Sequence, residues 1–257
     1  MKRNLIVVLF ILVSLMSASC SKSVFSNGEP ITESRPVDRF RAISMYNNVN
    51  VNLVHDSRPR LELTCPANLI DKITTETIDG TLVIKNRNTF NWLRSTDYSI
   101  DLTVYYDSIF EINYASIGTL RCMDSLTGVR TATTLPGSRD TTSISTFTLN
   151  INEGSGDIDI ALQCGVLKNT FGNGTSHVIL RGEVGYCEHI TRSYGLIDAR
   201  DLNSNITVVE SQSTNDVYVW VQTELIVQLY NIGNVYYKGT PHTTIEACTS
   251  NGRLIPL

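Results

Sequence analysis

From residue 150 onward an apolar residue recurs near every tenth position. No other feature of the chain restricts its fold as much. Ile158, Leu167, Val178, Cys187, Ile197, Ile206, Val217, Val227 and Val235 are separated by steps of 9, 11, 9, 10, 9, 11, 10 and 8 residues. Each lies in a run that alternates apolar and polar residues, the period of a half-buried strand. Two steps make a unit of about 20 residues. A meander of hairpins also spaces short strands by about ten residues. What argues against a meander is a small turn residue two positions before every second anchor: Gly156, Ser176, Gly195, Asn215 and Gly233. Gly and Asn accept a left-handed φ at low cost, so a chain that turned at the same place in each unit would stack these residues in a column. The expectation is an all-β chain folded as a parallel β-helix, a β-solenoid with about two strands per 20-residue coil, each coil burying its apolar side against its neighbours.

The earlier part of the chain also reads as strands. Val49, Val51 and Leu53 alternate with asparagines, Leu82 and Ile84 follow the turn pair Asp79-Gly80, and Ile100, Leu102 and Val104 alternate with polar residues, as do Phe110, Ile112 and Tyr114 around theirs. A short helical turn is expected from Pro66, with Leu69, Ile70 and Ile73 on one side. Residues 123 to 146, rich in Ser, Thr and Gly with Pro136, read as an irregular loop.

The first 19 residues have the layout of a signal peptide. Lys2 and Arg3 precede an apolar run from Leu5 to Met16, then Ser17, Ala18 and Ser19 lead to Cys20. The run is too short to span a bilayer, which takes about 20 residues. A small-small-Cys ending resembles the lipobox of bacterial lipoproteins, with Ser17 where Leu is usual, and it implies lipid attachment at Cys20. Residues 20–36 read as a polar tether, residues 37–241 as the folded domain and residues 242–257 as a tail. Loss of the leader takes the formal charge from −4 to −6, since it carries Lys2 and Arg3 and no acid. That balance argues against nucleic acid and against a polybasic membrane patch, so the membrane partner is reached through acyl chains. Ser21 and Lys22 are neither an inner-membrane retention aspartate nor an acidic surface-export cluster, so the expected place is the cell envelope, at the outer membrane. The other five cysteines, Cys65, Cys122, Cys164, Cys187 and Cys248, show no CxxC spacing, and the four histidines no metal spacing. No cofactor is expected.

The stretch from Arg39 to Asn86, "RFRAISMYNNVNVNLVHD…GTLVIKN", together with "GSGDIDI" at 154–160 and the closing "GNVYYKGTP" at 233–241, resembles the autotransporter adhesin head (GIN) domain family. The resemblance covers about residues 37 to 241. It implies a right-handed β-helix on a secreted or lipid-anchored protein of Gram-negative bacteria that acts in adhesion. The chain departs from the family's Gly-Ser-Gly turns, keeping that triplet only at 154–156.

Stacking the coils places candidate chemistry on the outer surface. Next to the inner column Ile158, Val178, Ile197, Val217, Val235 runs an outward column of Asp159, Ile179, Asp198, Tyr218 and Tyr236; beyond it come Ala161, Arg181, Arg200, Trp220 and Lys238. Asp159 and Asp198 would lie two coils apart, roughly 9 to 10 Å, near the upper limit for an inverting glycosidase pair. Ile179 between them, and Arg181 and Arg200 beside them, favour ordinary ion-pair ladders instead. No nucleophile elbow, zinc-protease or phosphate-loop motif occurs, so the chain is expected not to be an enzyme, with no catalytic and no metal-binding residue. Arg200, Tyr218, Trp220, Tyr236 and Lys238 are the candidate ligand-binding residues, because exposed rings flanked by cations suit a glycan or a protein interface. The bland alternative is that the loop at 123–146 or the tail from His242 covers them. The expected function is a lipid-anchored adhesin or binding module for a glycan or an envelope protein. A structural envelope protein that self-assembles through its strand ends or aromatic face is the alternative, with a polysaccharide-degrading enzyme behind both.

Overall fold

A computed structural model describes residues 28–89, 98–134 and 141–257. The leader and Cys20 lie outside the described residues. In chain order the elements are β1 (Pro30–Pro36), β2 (Ala42–Asn47), β3 (Asn50–His55), β4 (Arg60–Pro66), a 3-10 turn (Ile70–Lys72), β5 (Ile73–Ile78), β6 (Thr81–Asn86), β7 (Asp101–Tyr106), β8 (Glu111–Ser116), β9 (Leu120–Leu126) and β10 (Val129–Thr134). Then follow β11 (Thr141–Gly154), β12 (Ile158–Phe171), β13 (His177–Thr191), β14 (Leu196–Ser211), β15 (Val217–Leu229), β16 (Val235–Lys238), β17 (His242–Cys248) and β18 (Leu254–Pro256).

These strands form one 18-stranded sheet. It is a curled, half-barrel-like mixed sheet, and the expected right-handed parallel β-helix is corrected on two counts. First, pairing is partly antiparallel: β1 with β4, β4 with β7, β5 with β6, and β10 with β11. Asp79 and Gly80 both adopt left-handed φ, 49° and 75°, the geometry of a two-residue hairpin. A hairpin fixes antiparallel neighbours, which a chain of identical parallel coils cannot contain. Second, the later repeats do not hold two strands each. β12, β13, β14 and β15 are single strands of 14, 15, 16 and 13 residues, one per unit of about 20.

The spacing itself survives. β11 to β15 pair in parallel, Ile158 facing Val178, Val178 facing Ile197, Ile197 facing Val217 and Val217 facing Val235. All five are buried, as alternation requires of the side packed on a core. Ile206 is an exception. It is half-buried in the row with Tyr186, and Thr207 takes the inner place beside Cys187 and Leu225.

The turn column is also present, with a different cause from the one expected. None of Gly156, Gly195, Asn215 or Gly233 has a left-handed φ. Instead each glycine lies against the carbonyl of the preceding repeat. A Cβ would collide with Gly118 O at Gly156, with Ser176 O and the Phe171 ring at Gly195, and with Asn215 O at Gly233.

The turn expected at Pro66 is the 3-10 segment, with Leu69, Ile70 and Ile73 buried. Residues 123–146, expected as an irregular loop, instead supply the end of β9, β10 and the start of β11. Within residues 20–36, Pro30–Pro36 is β1, clamped by Arg35 donating to the carbonyls of Ile70 and Ile73. Residues 242–257 carry β17 and β18. The core is one continuous apolar cluster from Phe40 to Val235. No helix among the described residues is long and apolar enough to cross a membrane.

Candidate functional site

The outward row expected from the sequence holds through five repeats: Asp159 faces Ile179, Ile179 faces Asp198, Asp198 faces Tyr218 and Tyr218 faces Tyr236. β18 extends it, with Ile255 facing Tyr236. In-register neighbours in a sheet stand about 4.8 Å apart, so two tyrosines in one row must stack. The Tyr218 and Tyr236 centroids lie 4.9 Å apart with planes at 11°. The Arg200 guanidinium lies 4.7 Å from the Tyr218 centroid, and Lys238 Nζ 3.9 Å from that of Trp220.

The second row differs from the expected one. Arg181 faces Asp201, and Trp220 faces Asn203 on one side and Lys238 on the other. Between Ala199 and Asn203 the β14–β15 ladder breaks, and Arg200, Asp201 and Leu202 have no partner in β15. Leu202 turns into the core and Arg200 outward. Such a bulge re-aims side chains. Here it takes Arg200 out of the Trp220 row and sets it on Asp198 and Tyr218. Arg200 Nε donates to Asp198 Oδ1 at 2.8 Å and Nη2 to Oδ2 at 2.5 Å. The five candidate residues therefore form two adjoining groups, Arg200–Tyr218–Tyr236 and Trp220–Lys238.

The three rings are half-buried and both cations exposed. Tyr218 has Arg200 and Tyr236 at its ring, and Trp220 has Lys238 over it, so cations or a second ring occupy ring surface; the Arg200 charge is paired with Asp198 and that of Lys238 is exposed. Burial, with Asp216 and Tyr236 nearby, raises the Tyr218 hydroxyl above its usual pKa, so the phenol is neutral and can donate.

The two aspartates do not make an acid/base pair. Arg181 Nη1 donates to Asp159, and Asp198 is held below the ordinary carboxyl range by its hydrogen bonds from Arg200. A general acid needs a raised pKa. Among the described residues no group of three His, Cys, Asp or Glu is placed to hold a metal. His189 is fully buried, with Nδ1 3.0 Å from Asn169 Nδ2 and Nε2 3.1 Å from Cys187 Sγ.

Two further features were not singled out from the sequence. One is a cavity of about 420 Å³ at the start of β2 and β6, lined by Arg39, Arg41, Asp79, Asp107 and Phe110. Distant turns meet there, and no local pattern signals it. The other is at the turn tips: Tyr194 and Ile232, one residue before the turn glycines 195 and 233, are large and well exposed, as is Ile117 before Gly118, while Ser155, Thr175 and Thr214 take the same place in the row. That row could have been read directly from the glycine column.

A family model described as "Putative auto-transporter adhesin, head GIN domain" matches residues 39–241. No curated protein sequence matches the chain. Among solved structures, a "putative adhesin" from Bacteroides fragilis NCTC 9343 is similar at a TM-score of 0.72 and 18% identity, over 90% of this chain and 99% of that one. A "putative adhesin" from Parabacteroides merdae ATCC 43184 is similar at 0.59 and 13% identity, over 90% and 98%. A "Putative lipid binding protein" from Parabacteroides distasonis ATCC 8503 is similar at 0.56 and 19% identity, again over 90% and 98%. At such identities the likeness concerns the fold.

Proposed function

The chain belongs to the auto-transporter adhesin head GIN domain family, and from that premise we propose that it is a non-catalytic binding module of the cell envelope. The observation that carries this is the partly exposed block of Tyr218, Trp220 and Tyr236 with Lys238, carried on paired strands, and Arg200 on the bulge beside them. Preorganised side chains on a sheet lose little entropy on contact. Because the ring faces carry cations or each other, the block suits carboxylate or sulfate groups and hydroxyls of an acidic glycan, or the polar rim of an envelope protein, better than the flat face of a neutral sugar. Attachment at Cys20 by lipid, facing the outer membrane, fits a tethered adhesion role. Incorporation of labelled fatty acid that Cys20→Ser abolishes is the expected result for that part.

Affinity electrophoresis of the purified protein through gels containing alginate or chondroitin sulfate tests the block. Retardation that Trp220→Ala and Lys238→Ala remove is expected. No shift in any acidic gel would sink the acidic-glycan version, and capture on isolated envelope protein would then decide the protein version.

A further inference from the structure

We infer that the turn edge of the parallel repeats is a second, separate binding surface, a stacking ridge for an extended neutral polysaccharide. This rests on the reading of the chain as a surface-binding module, but on different residues from the block above. The turns that follow β13, β14 and β15 lie side by side. Tyr194 N donates to Gly174 O, Gln212 N to Thr191 O, Tyr230 N to Ser211 O and Gly233 N to Ser213 O. Two parallel rows result, Arg192–Gln212–Tyr230 and Tyr194–Thr214–Ile232, stepping across the repeats at one strand spacing, about 4.8 Å.

Tyr194 is 62% exposed, Ile232 58% and Tyr230 41%. Neither tyrosine stacks on another ring or carries a cation among the described residues. Their exposure leaves ring surface open to a ligand, in contrast to Tyr218 and Tyr236. The turns that carry them are also held firmly. Gly195 N donates to Ser193 Oγ at 3.2 Å, Asn215 Nδ2 to Tyr194 O, Asn231 Nδ2 to Gln212 O at 3.1 Å and Tyr230 Oη to Gln228 Oε1 at 3.2 Å. A ring presented from a fixed turn leaves little more than its own rotamers to be ordered when a ligand stacks on it.

The layout favours a linear sugar chain over a protein. Tyr194 is on one turn and Tyr230 with Ile232 on another, with Thr214 and Gln212 on the turn between, so no contiguous patch of interface size forms. Tyr194 and Tyr230 lie two repeats apart, about 10 Å along the stack, and in neighbouring rows, so the line that joins them crosses the turns obliquely. One strand spacing is close to the advance of one pyranose in an extended β-1,4-linked chain, so alternate sugars of a chain that crosses the turns obliquely, from Tyr194 to Tyr230, meet the two rings. The intervening sugar meets the Thr214 hydroxyl and the Gln212 amide.

The test is affinity electrophoresis of the whole protein in hydroxyethyl-cellulose and xylan gels, with dextran as the coiled control. The expected result is retardation in the first two that Tyr194→Ala and Tyr230→Ala each reduce and together abolish, while Trp220→Ala leaves it unchanged. Both tyrosines are exposed, so the variants should melt with the wild type. No retardation in hydroxyethyl-cellulose or xylan overturns the ridge. So does retardation that survives the double variant, or that Trp220→Ala removes. None of these bears on binding in the acidic gels, so failure of the ridge is distinguishable from failure of the envelope-module reading.

Discussion

Gly195 carries more of the fold than its lack of a side chain suggests. It is wedged between the Phe171 ring and the carbonyl of Ser176, and an added methyl would meet both. Neither neighbour can retreat, since Phe171 is fully buried and Ser176 is in the sheet's turn column. Gly195→Ala should therefore destabilise the protein by about 2 to 3 kcal/mol through overpacking. Gly172 is the control. It is exposed and its nearest neighbour to an added Cβ, Ile151 O, is 3.6 Å away, so Gly172→Ala should stay within about 0.5 kcal/mol in the same urea titration. His189 makes a second residue-scale case. Burial lowers its pKa from 6.5 to about 4, and its ring nitrogens face an amide and a thiol with no carboxylate to offset a charge. The unfolded chain then binds the proton more tightly than the folded one. The associated stability is complete above the unfolded pKa and is lost as pH falls from about 6.5 toward 4, to a limit of about 3 kcal/mol. Urea midpoints at neutral pH and at pH 4.5 should differ less for His189→Gln than for the wild type; equal differences would remove His189 as the cause.

At the scale of elements, legibility in the sequence divides at β11. From β11 to β16 each repeat pairs with the next, so a constant spacing near 20 defines both partner and register, and the rows through Asp159 and Tyr218 follow from counting. Counting fails past Ala199, where the inward pattern slips from every second residue to Leu202, three on. That slip is the one local sign of the bulge. It displaced Arg200 from the Trp220 row while leaving it close enough to remain in the candidate site. Before β11, strands such as β1 and β4 pair across residues 37 to 59, and alternation says which face is buried but not which partner is chosen. Only the Asp79-Gly80 pair announced an antiparallel neighbour. The bulge predicts a mild outcome for Arg200→Gln. The Arg200–Asp198 pair is at the surface, so stability should fall by no more than about 1 kcal/mol. The Asp198 carboxyl, released from its guanidinium, should move back up toward the ordinary range in a carbon-detected NMR titration. If it stays low, something other than Arg200 holds it.

For the molecule as a whole, one apolar cluster runs through both halves of the sheet, so the antiparallel part and the stacked part share a core. A single unfolding transition that coincides by fluorescence and circular dichroism is expected; two separated transitions would mean two independent units. The same continuity governs the thiols. Cys65, Cys122, Cys164 and Cys187 are buried and unpaired, and Cys248 is exposed. Burial also raises the pKa of all four buried thiols, those of Cys122 and Cys164 to about 11. Among these five, only Cys248 should react with a thiol reagent in the native protein, and all five after denaturation. Rapid native labelling of a second would show that the sheet opens locally.

The contact of each turn glycine with the carbonyl one repeat earlier makes length a quantised variable. A whole repeat could be added or removed and every turn would still find a carbonyl at the right height, giving a longer or shorter ruler with the same cross-section. A fractional insertion has no such place. It must bulge out of the ladder, as Arg200 does in β14, with Asp201 and Leu202 left paired to β13 alone. Relatives of this chain should then differ in reach by whole steps, and the surplus residues that break the step should be where new surface chemistry accumulates.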